Sequence, residues 1–322
     1  MRQKTQISAI DAFGIDYRVD GDDGPVLMLP GYTEPGAHTP PVKDYEFDPD
    51  VLFHSLVAYL FGRPLLCSGP SGTGKTEIAE QICARLNLNR IIVSSSDETE
   101  TSDLTGMPMP QADGSVRFMH GSLVRGLCNY GIDEDHEKYD VVLWDEMTKN
   151  RPGVLAKYNA LLEGRPFAID ANGGEIVHPD PHVWLVGTAN SAGMGDRSGM
   201  YAAEQVQDAA TLARFLRVEL NYPDEARERE IVKVILPEDL EEDCEPIVQF
   251  MNLLRSSGLP TVLGVRQSCD IALLYKTLGS MEDAVLLTIA YALDRFDDRR
   301  TVANQFQTAF GVEAPRIAPT RI

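Results

Sequence analysis

The chain has 322 residues and sets 29 Lys+Arg against 49 Asp+Glu, a net charge of −20. That length allows one large domain plus a smaller one, and that charge repels a phosphate backbone at long range, which disfavours nonspecific nucleic-acid binding by a single chain and leaves only a local basic pore in an oligomer. Five scattered cysteines without a CxxC pair read as reduced core thiols, and without an eighteen-residue apolar run or a signal-peptide core in MRQKTQISAI a soluble cytoplasmic protein with no membrane segment is expected.

Residues 1–45 contain GDDG, LPGYTEPG and HTPPV, too rich in proline and glycine for a long element, and read as an extended N-terminal arm. From residue 46 short apolar runs alternate with helical patterns, the mark of a parallel sheet with helices on its faces. The expected strands are Leu65–Ser68, Arg90–Ser94, Val141–Asp145, Val183–Thr188 and Leu216–Leu220, whose leucine and β-branched content suits burial on both faces. Directly after the first strand comes GPSGTGKT: Gly69, Pro70, Ser71, Gly72, Thr73, Gly74, Lys75 and Thr76. Glycines at this spacing let backbone N–H groups turn inward on a phosphate at a helix N-terminus. Lys75 then reaches the β- and γ-phosphates, and the Thr76 hydroxyl ligates Mg²⁺. The bland reading is a glycine-rich turn, and the strand before and helix after argue against it.

Met107–Gly121 places a DG turn between short runs and reads as an inserted hairpin. VVLWDE, Val141–Glu146, is a buried strand that delivers two acids at its C-terminal end. Asp145 is expected to hold Mg²⁺ and Glu146 to polarise the attacking water. Val154, Leu155, Tyr158, Leu161 and Leu162 recur at helical spacing and lead into a second hairpin, Arg165–His178, around Asn172-Gly173-Gly174. The close pair His178 and His182 lies in a proline-bearing loop, not in a metal-binding pattern. VWLVGTAN then ends in Asn190, either a residue that orients water or a turn-forming asparagine. After Asn221-Tyr222-Pro223 the pattern turns helical, with Asp224 as N-cap of EAREREIVKVI; residues 223–300 read as a helical lid and 301–322 as a tail of weak pattern. The hairpin aromatics Phe118 and Phe167 are expected to pack on their own domain.

The phosphate loop, the DE strand and the Asn strand together resemble the AAA+ ATPases. DEMTKNRPGVLAKYNALLEGRPFAIDANGGEIVHPDPHVWLVGTANS, Asp145–Ser191, resembles the MoxR clade. FGID, DLTG, NRPGV and NSAGMGDRSGMY, followed by ARF and LNYPDE, resemble the CobS-like ATPase subunit of aerobic cobaltochelatase. The likeness covers about residues 10–280 and implies an αβα three-layer core at 46–222, with a five-stranded parallel sheet, two inserted hairpins and the helical lid. It makes Asn190 the sensor-1 residue, Arg214 the arginine finger and Arg266, in GVRQS, the sensor-2 residue. The family pattern carries an aspartate before the finger where this chain has Ala213, so Arg217 and Arg151 compete with Arg214.

The resemblance further implies ATP as nucleotide, a homo-oligomeric ring of six subunits and a protein partner bearing a von Willebrand factor A-like domain. It extends to the ATPase role in a cobalt chelatase. The competing readings are a MoxR-type chaperone for an unrelated complex, a nucleic-acid motor, which the charge disfavours, and a scaffold without turnover, which the set of Lys75, Asp145 and Glu146 disfavours.

Overall fold

The computed structural model describes residues 2–19, 21, 23–130, 138–196 and 201–318. Strand β1 (Lys4–Ser8) pairs antiparallel with β2 (Met28–Tyr32), Lys4 opposite Tyr32. The segment expected as an extended arm is therefore folded and tied down. Tyr32 N–H donates to Leu86 O at 3.1 Å, Asn87 Nδ2 to Tyr32 O at 2.8 Å, and Arg2 pairs with Asp140 at 2.9 Å. Prolines and glycines keep these strands short, and pairing with each other satisfies their backbone groups.

Along the rest of the chain come β3 (Leu65–Ser68), β4 (Arg90–Ser94), the antiparallel hairpin of β5 (Gly106–Pro110) and β6 (Val116–His120), and β7 (Val141–Asp145). A second hairpin of β8 (Phe167–Ile169) and β9 (Glu175–Val177) follows, then β10 (Trp184–Ala189) and β11 (Leu216–Glu219). Strands β11, β3, β10, β7 and β4, in that order, form one parallel sheet, with Val186 in register with both Leu65 and Leu143. The three inner strands are buried on both faces, as continuous apolar runs require. The outer two are not: Ile92 on β4 is 40% exposed and Leu216 on β11 is 41% exposed, because an edge strand has a neighbour on one side only.

Helices cover the sheet. Pro49–Leu60 begins on Asp48, whose carboxylate accepts from the N–H groups of Asp50 and Val51, with a proline in the first turn where no N–H is needed. One core cluster gathers Leu66, Val142, Trp144, Leu155, Tyr158 and Leu185. Each such fully buried apolar side chain stabilises the fold by about 2 kcal/mol. Phe167 lies against Tyr158 at a ring separation of 5.7 Å and belongs to this cluster, so it packs on its own domain.

The chain divides into two compact units, one of Met1–Lys43, Phe47–Gly69 and Lys75–Leu220, the other of Asp44–Glu46, Pro70–Gly74 and Asn221–Ile322. The second unit is helical, with Glu225–Lys233, Cys244–Arg255, Val265–Leu278, Met281–Thr288 and Phe296–Phe310 around Phe250, Met251, Leu254 and Ile271. Asp224 caps the first of these, accepting from Arg227 N–H at 2.8 Å. The stretch expected as a weakly patterned tail from Thr301 instead continues a fifteen-residue helix. Val302, Phe306 and Phe310 recur every four residues and pack into the core, Gly311 ends the helix in the left-handed region, and Ile317 is also buried. The last part of that tail, 319–322, lies outside the described residues, as do 197–200 of NSAGMGDRSGMY. Among the described residues no helix is long and apolar enough to cross a membrane.

Candidate nucleotide site

The buried strand β3 ends at Gly69, where the chain must turn sharply to start the helix Lys75–Arg85. Gly69, Gly72 and Gly74 have φ of 147°, 81° and 86°, a region that side chains disfavour. A Cβ on Gly69 would stand 2.0 Å from Leu220 O, so glycine is required there by contact as well as by conformation. Lys75, the first residue of the helix, is buried, and its Nζ donates to Gly69 O at 2.9 Å. Burial pulls its ammonium down to about 8, while the nearby charges of Asp145, Glu204 and Glu146 oppose that shift.

Thr76 Oγ1 donates to Asp145 Oδ1 at 2.9 Å, and Thr188 Oγ1 on β10 donates to the same oxygen at 2.7 Å. Because β7 and β10 are parallel neighbours, their C-terminal ends emerge side by side, and Glu146 N–H closes the arrangement by donating to Thr188 Oγ1 at 2.9 Å. Glu146 is one of few non-glycine residues with positive φ, 53°, where the strand breaks into the short helix Met147–Lys149. Such a backbone costs of order 1 kcal/mol and turns the side chain away from the strand line. Its Oε2 receives Lys149 Nζ at 2.6 Å.

Asn190 follows β10 directly, half-buried, with no hydrogen bond to its side-chain amide among the described residues. Its main-chain N–H donates to Glu204 Oε1 at 3.2 Å, and Ser191 Oγ donates to Glu204 Oε2 at 3.0 Å. Glu204, only 7% exposed, escapes sequence reasoning because AAEQVQD has no motif and no apolar period. Lys149 lies inside the stretch that carries the resemblance, but nothing in DEMTKNRPGV marks a lysine three residues past Glu146 as its partner.

The three arginines named for the finger role are placed differently. Arg214 Nη2 lies 2.6 Å from Glu163 Oε1, and its Nη1 donates to Ala210 O. Arg217 and Arg151 are exposed, the latter at the N-cap of the helix Pro152–Lys157. Arg266 is the second residue of the helix Val265–Leu278 in the helical unit and is exposed. Within that same unit the turn before this helix packs on the phosphate-loop tip: a Cβ on Gly264 would lie 2.8 Å from Ser71 O and 3.0 Å from the Gly72 Cα. Tyr222 also donates to Ser71 O, at 3.3 Å.

These residues fit ATP with Mg²⁺. The glycine turn brings bare backbone to where phosphate must approach, and a hydroxyl and a carboxylate oxygen, Thr76 and Asp145, converge as hard oxygen donors. No cluster of three or more His, Cys, Asp or Glu is arranged for a metal among the described residues. Mg²⁺ bound partly by substrate phosphates needs none.

Residues 64–215 match the family profile described as AAA domain (dynein-related subfamily). Those residues are similar to an AAA domain. The match spans the five-stranded sheet up to the residue before β11, with Lys75, Thr76, Asp145, Glu146, Asn190 and Arg214 all inside it. Over a longer stretch the chain is similar to the aerobic cobaltochelatase subunit CobS of Sinorhizobium sp, 28% identical across 98% of this chain and 93% of that protein. It is also similar to the denitrification regulatory protein NirQ of Stutzerimonas stutzeri, 26% identical across 76% of this chain and 83% of that protein. The gas vesicle ATPase GvpN of Ancylobacter aquaticus is 23% identical across 79% of this chain and 72% of its own length. The match to an AAA domain implies nucleotide binding and ATPase activity.

Proposed function

We propose that the chain is a Mg²⁺-dependent AAA+ ATPase of the MoxR and CobS-like type, cytoplasmic, working as a homo-oligomeric ring, a hexamer, that remodels a protein partner. The observation that carries this reading is the convergence of Thr76 and Thr188 on one oxygen of Asp145 beside the buried Lys75. The backbone N–H groups of Gly69–Thr76 cradle the phosphates, and Lys75 neutralises the β- and γ-phosphates. Thr76 and Asp145 hold Mg²⁺, which supplies positive charge against the transferring phosphoryl group. Glu146 accepts a proton from the attacking water once its carboxylate leaves Lys149, and Asn190 orients that water. Arg266 serves as sensor 2. Arg214 serves as the finger for a neighbouring subunit after exchanging Glu163 for phosphate, with Arg217 and Arg151 as the exposed competitors.

Similarity over nearly the whole length of CobS supports a finer reading, in which the ring drives a cobalt chelatase through a partner with a von Willebrand factor A-like domain. Similarity to NirQ and GvpN supports the second reading, a MoxR-type assembly ATPase acting on another complex. Nothing in the site favours a nucleic-acid motor, and the net charge of −20 opposes it. Affinity capture from native extract with Glu146→Gln, ATP and Mg²⁺, with Lys75→Ala as control, separates the readings. A chelatase-sized protein with a von Willebrand-type subunit, held only by the trapped variant, supports the chelatase role; a different client held the same way overturns it and leaves the ATPase.

A further inference from the structure

Glu204 is a buried carboxylate that the roles above do not use. Both of its oxygens are committed to the segment that follows β10, Oε1 to the Asn190 main-chain N–H and Oε2 to the Ser191 hydroxyl. The stretch that carries Glu204 is itself fixed to the segment that follows β7. Gln205 N–H donates to Thr148 O at 3.0 Å, and the Gln207 side-chain amide donates to Thr148 O at 2.9 Å and Asn150 O at 2.8 Å. Gln207 N–H returns to Gly193 O at 2.8 Å, and Met194 bridges Val206. One short stretch therefore braces the chain just beyond Glu146 against the chain just beyond β10.

A carboxylate costs several kcal/mol to bury unless its lone pairs are occupied and a cation is near. Here two donors and the Lys75 ammonium supply those conditions, and the donors it engages belong to the two residues that directly follow β10. A loop needing only closure would be served by the Gln207 and Gln205 contacts alone. We infer that Glu204 is the positioning residue for Asn190, fixing its main chain so that the side-chain amide stays aimed for the hydrolytic step. This inference rests on the ATPase reading with Asn190 as the γ-phosphate sensor.

Positioning of this kind acts on turnover more than on nucleotide affinity, and it works through Asn190. Steady-state ATP hydrolysis by the full chain therefore tests it with Glu204→Ala, Glu204→Gln, Asn190→Ala and the double variant Asn190→Ala/Glu204→Ala. Glu204→Ala is expected to lower kcat at least tenfold with KM for ATP within twofold. Glu204→Gln keeps an acceptor for Asn190 and an amide that donates to the Ser191 hydroxyl, so at least half of the wild-type kcat should return. The double variant should be no more than twofold slower than Asn190→Ala, since that substitution already removes the amide being aimed. Ser191→Ala, which deletes one of the two contacts and leaves the carboxylate in place, provides an intermediate loss even where Glu204→Ala folds poorly. Losses that multiply in the double variant, a Glu204→Gln as slow as Glu204→Ala, or a normal kcat in both Glu204→Ala and Ser191→Ala would each overturn the inference. A wild-type chain without turnover would instead overturn the ATPase reading beneath it.

Discussion

Thr76 and Asp145, 69 positions apart in the chain, meet with the threonine hydroxyl donating to a carboxylate oxygen at 2.9 Å. Thr188 donates to that same oxygen from the neighbouring strand. A carboxylate held by two hydroxyls is oriented before any cation arrives. Asp145→Asn preserves the shape but removes the charge. Titration with a fluorescent ATP analogue is expected to show at least tenfold weaker binding in Mg²⁺ and unchanged binding in EDTA; equal losses in both conditions would place Asp145 outside the metal site.

Lys75 sets a pH limit. Its ammonium is pulled by burial from 10.5 to about 8, so above about pH 8 the empty site loses the cation that phosphate needs. Nucleotide affinity should fall up to tenfold per pH unit above that point, and binding at pH 8–9 should take up a proton, measurable by calorimetry in buffers of different ionisation enthalpy.

The stability linkage of Lys75 has the opposite sense. Between about 8 and 10.5 the unfolded chain holds the proton and the fold does not, so this group makes the nucleotide-free protein more stable as pH rises through that window. Below it the full penalty applies, about 3 kcal/mol as an upper bound. Lys75→Met is accordingly expected to raise the melting midpoint of the nucleotide-free chain while abolishing the stabilisation that ATP gives the wild type.

Lys149 restrains the proposed base. An ammonium 2.6 Å from Glu146 Oε2 engages that carboxylate in an ion pair, which must open before the oxygen can accept from a substrate water. Lys149→Met should raise basal turnover about threefold with KM unchanged, whereas a fall in kcat would make Lys149 part of the productive site.

The helical unit depends on one buried ion pair. Glu228, 0% exposed, takes Arg255 through both oxygens at 2.5 and 2.8 Å and also accepts from Ser268, while Arg255 Nε donates to Leu263 O at 2.7 Å just ahead of the turn that packs on Ser71. Arg255→Met leaves the carboxylate buried and unpaired, a loss of about 3–5 kcal/mol in urea unfolding. Replacing Glu228 by Gln together with Arg255→Met should recover part of that loss.

The inner strands were legible because each is a short apolar run, buried on both faces, with its C-terminal end in a glycine or polar turn. The phosphate loop and the DE pair were legible because glycines and acids sit at fixed offsets from strand ends. Folding of the N-terminal segment was not, since β1 and β2 owe their pairing to each other and to Leu86, contacts distant in sequence. The helix through Thr301–Phe310 was hidden because Val302, Phe306 and Phe310, set among polar residues and two alanines, give a thin stripe that becomes decisive only against Phe250. Glu204 and the pairing of Arg214 with Glu163 carry no local signal; they follow from contacts between loops distant in the chain.

Mg²⁺-dependent release of phosphate from ATP by the purified chain, compared with Lys75→Ala and Glu146→Gln, tests the central claim most directly. Turnover by the wild type, loss of nucleotide binding in Lys75→Ala, and retained binding with at least a hundredfold slower hydrolysis in Glu146→Gln are the expected results. Unchanged hydrolysis in Glu146→Gln, or nucleotide binding undiminished in Lys75→Ala, would contradict it.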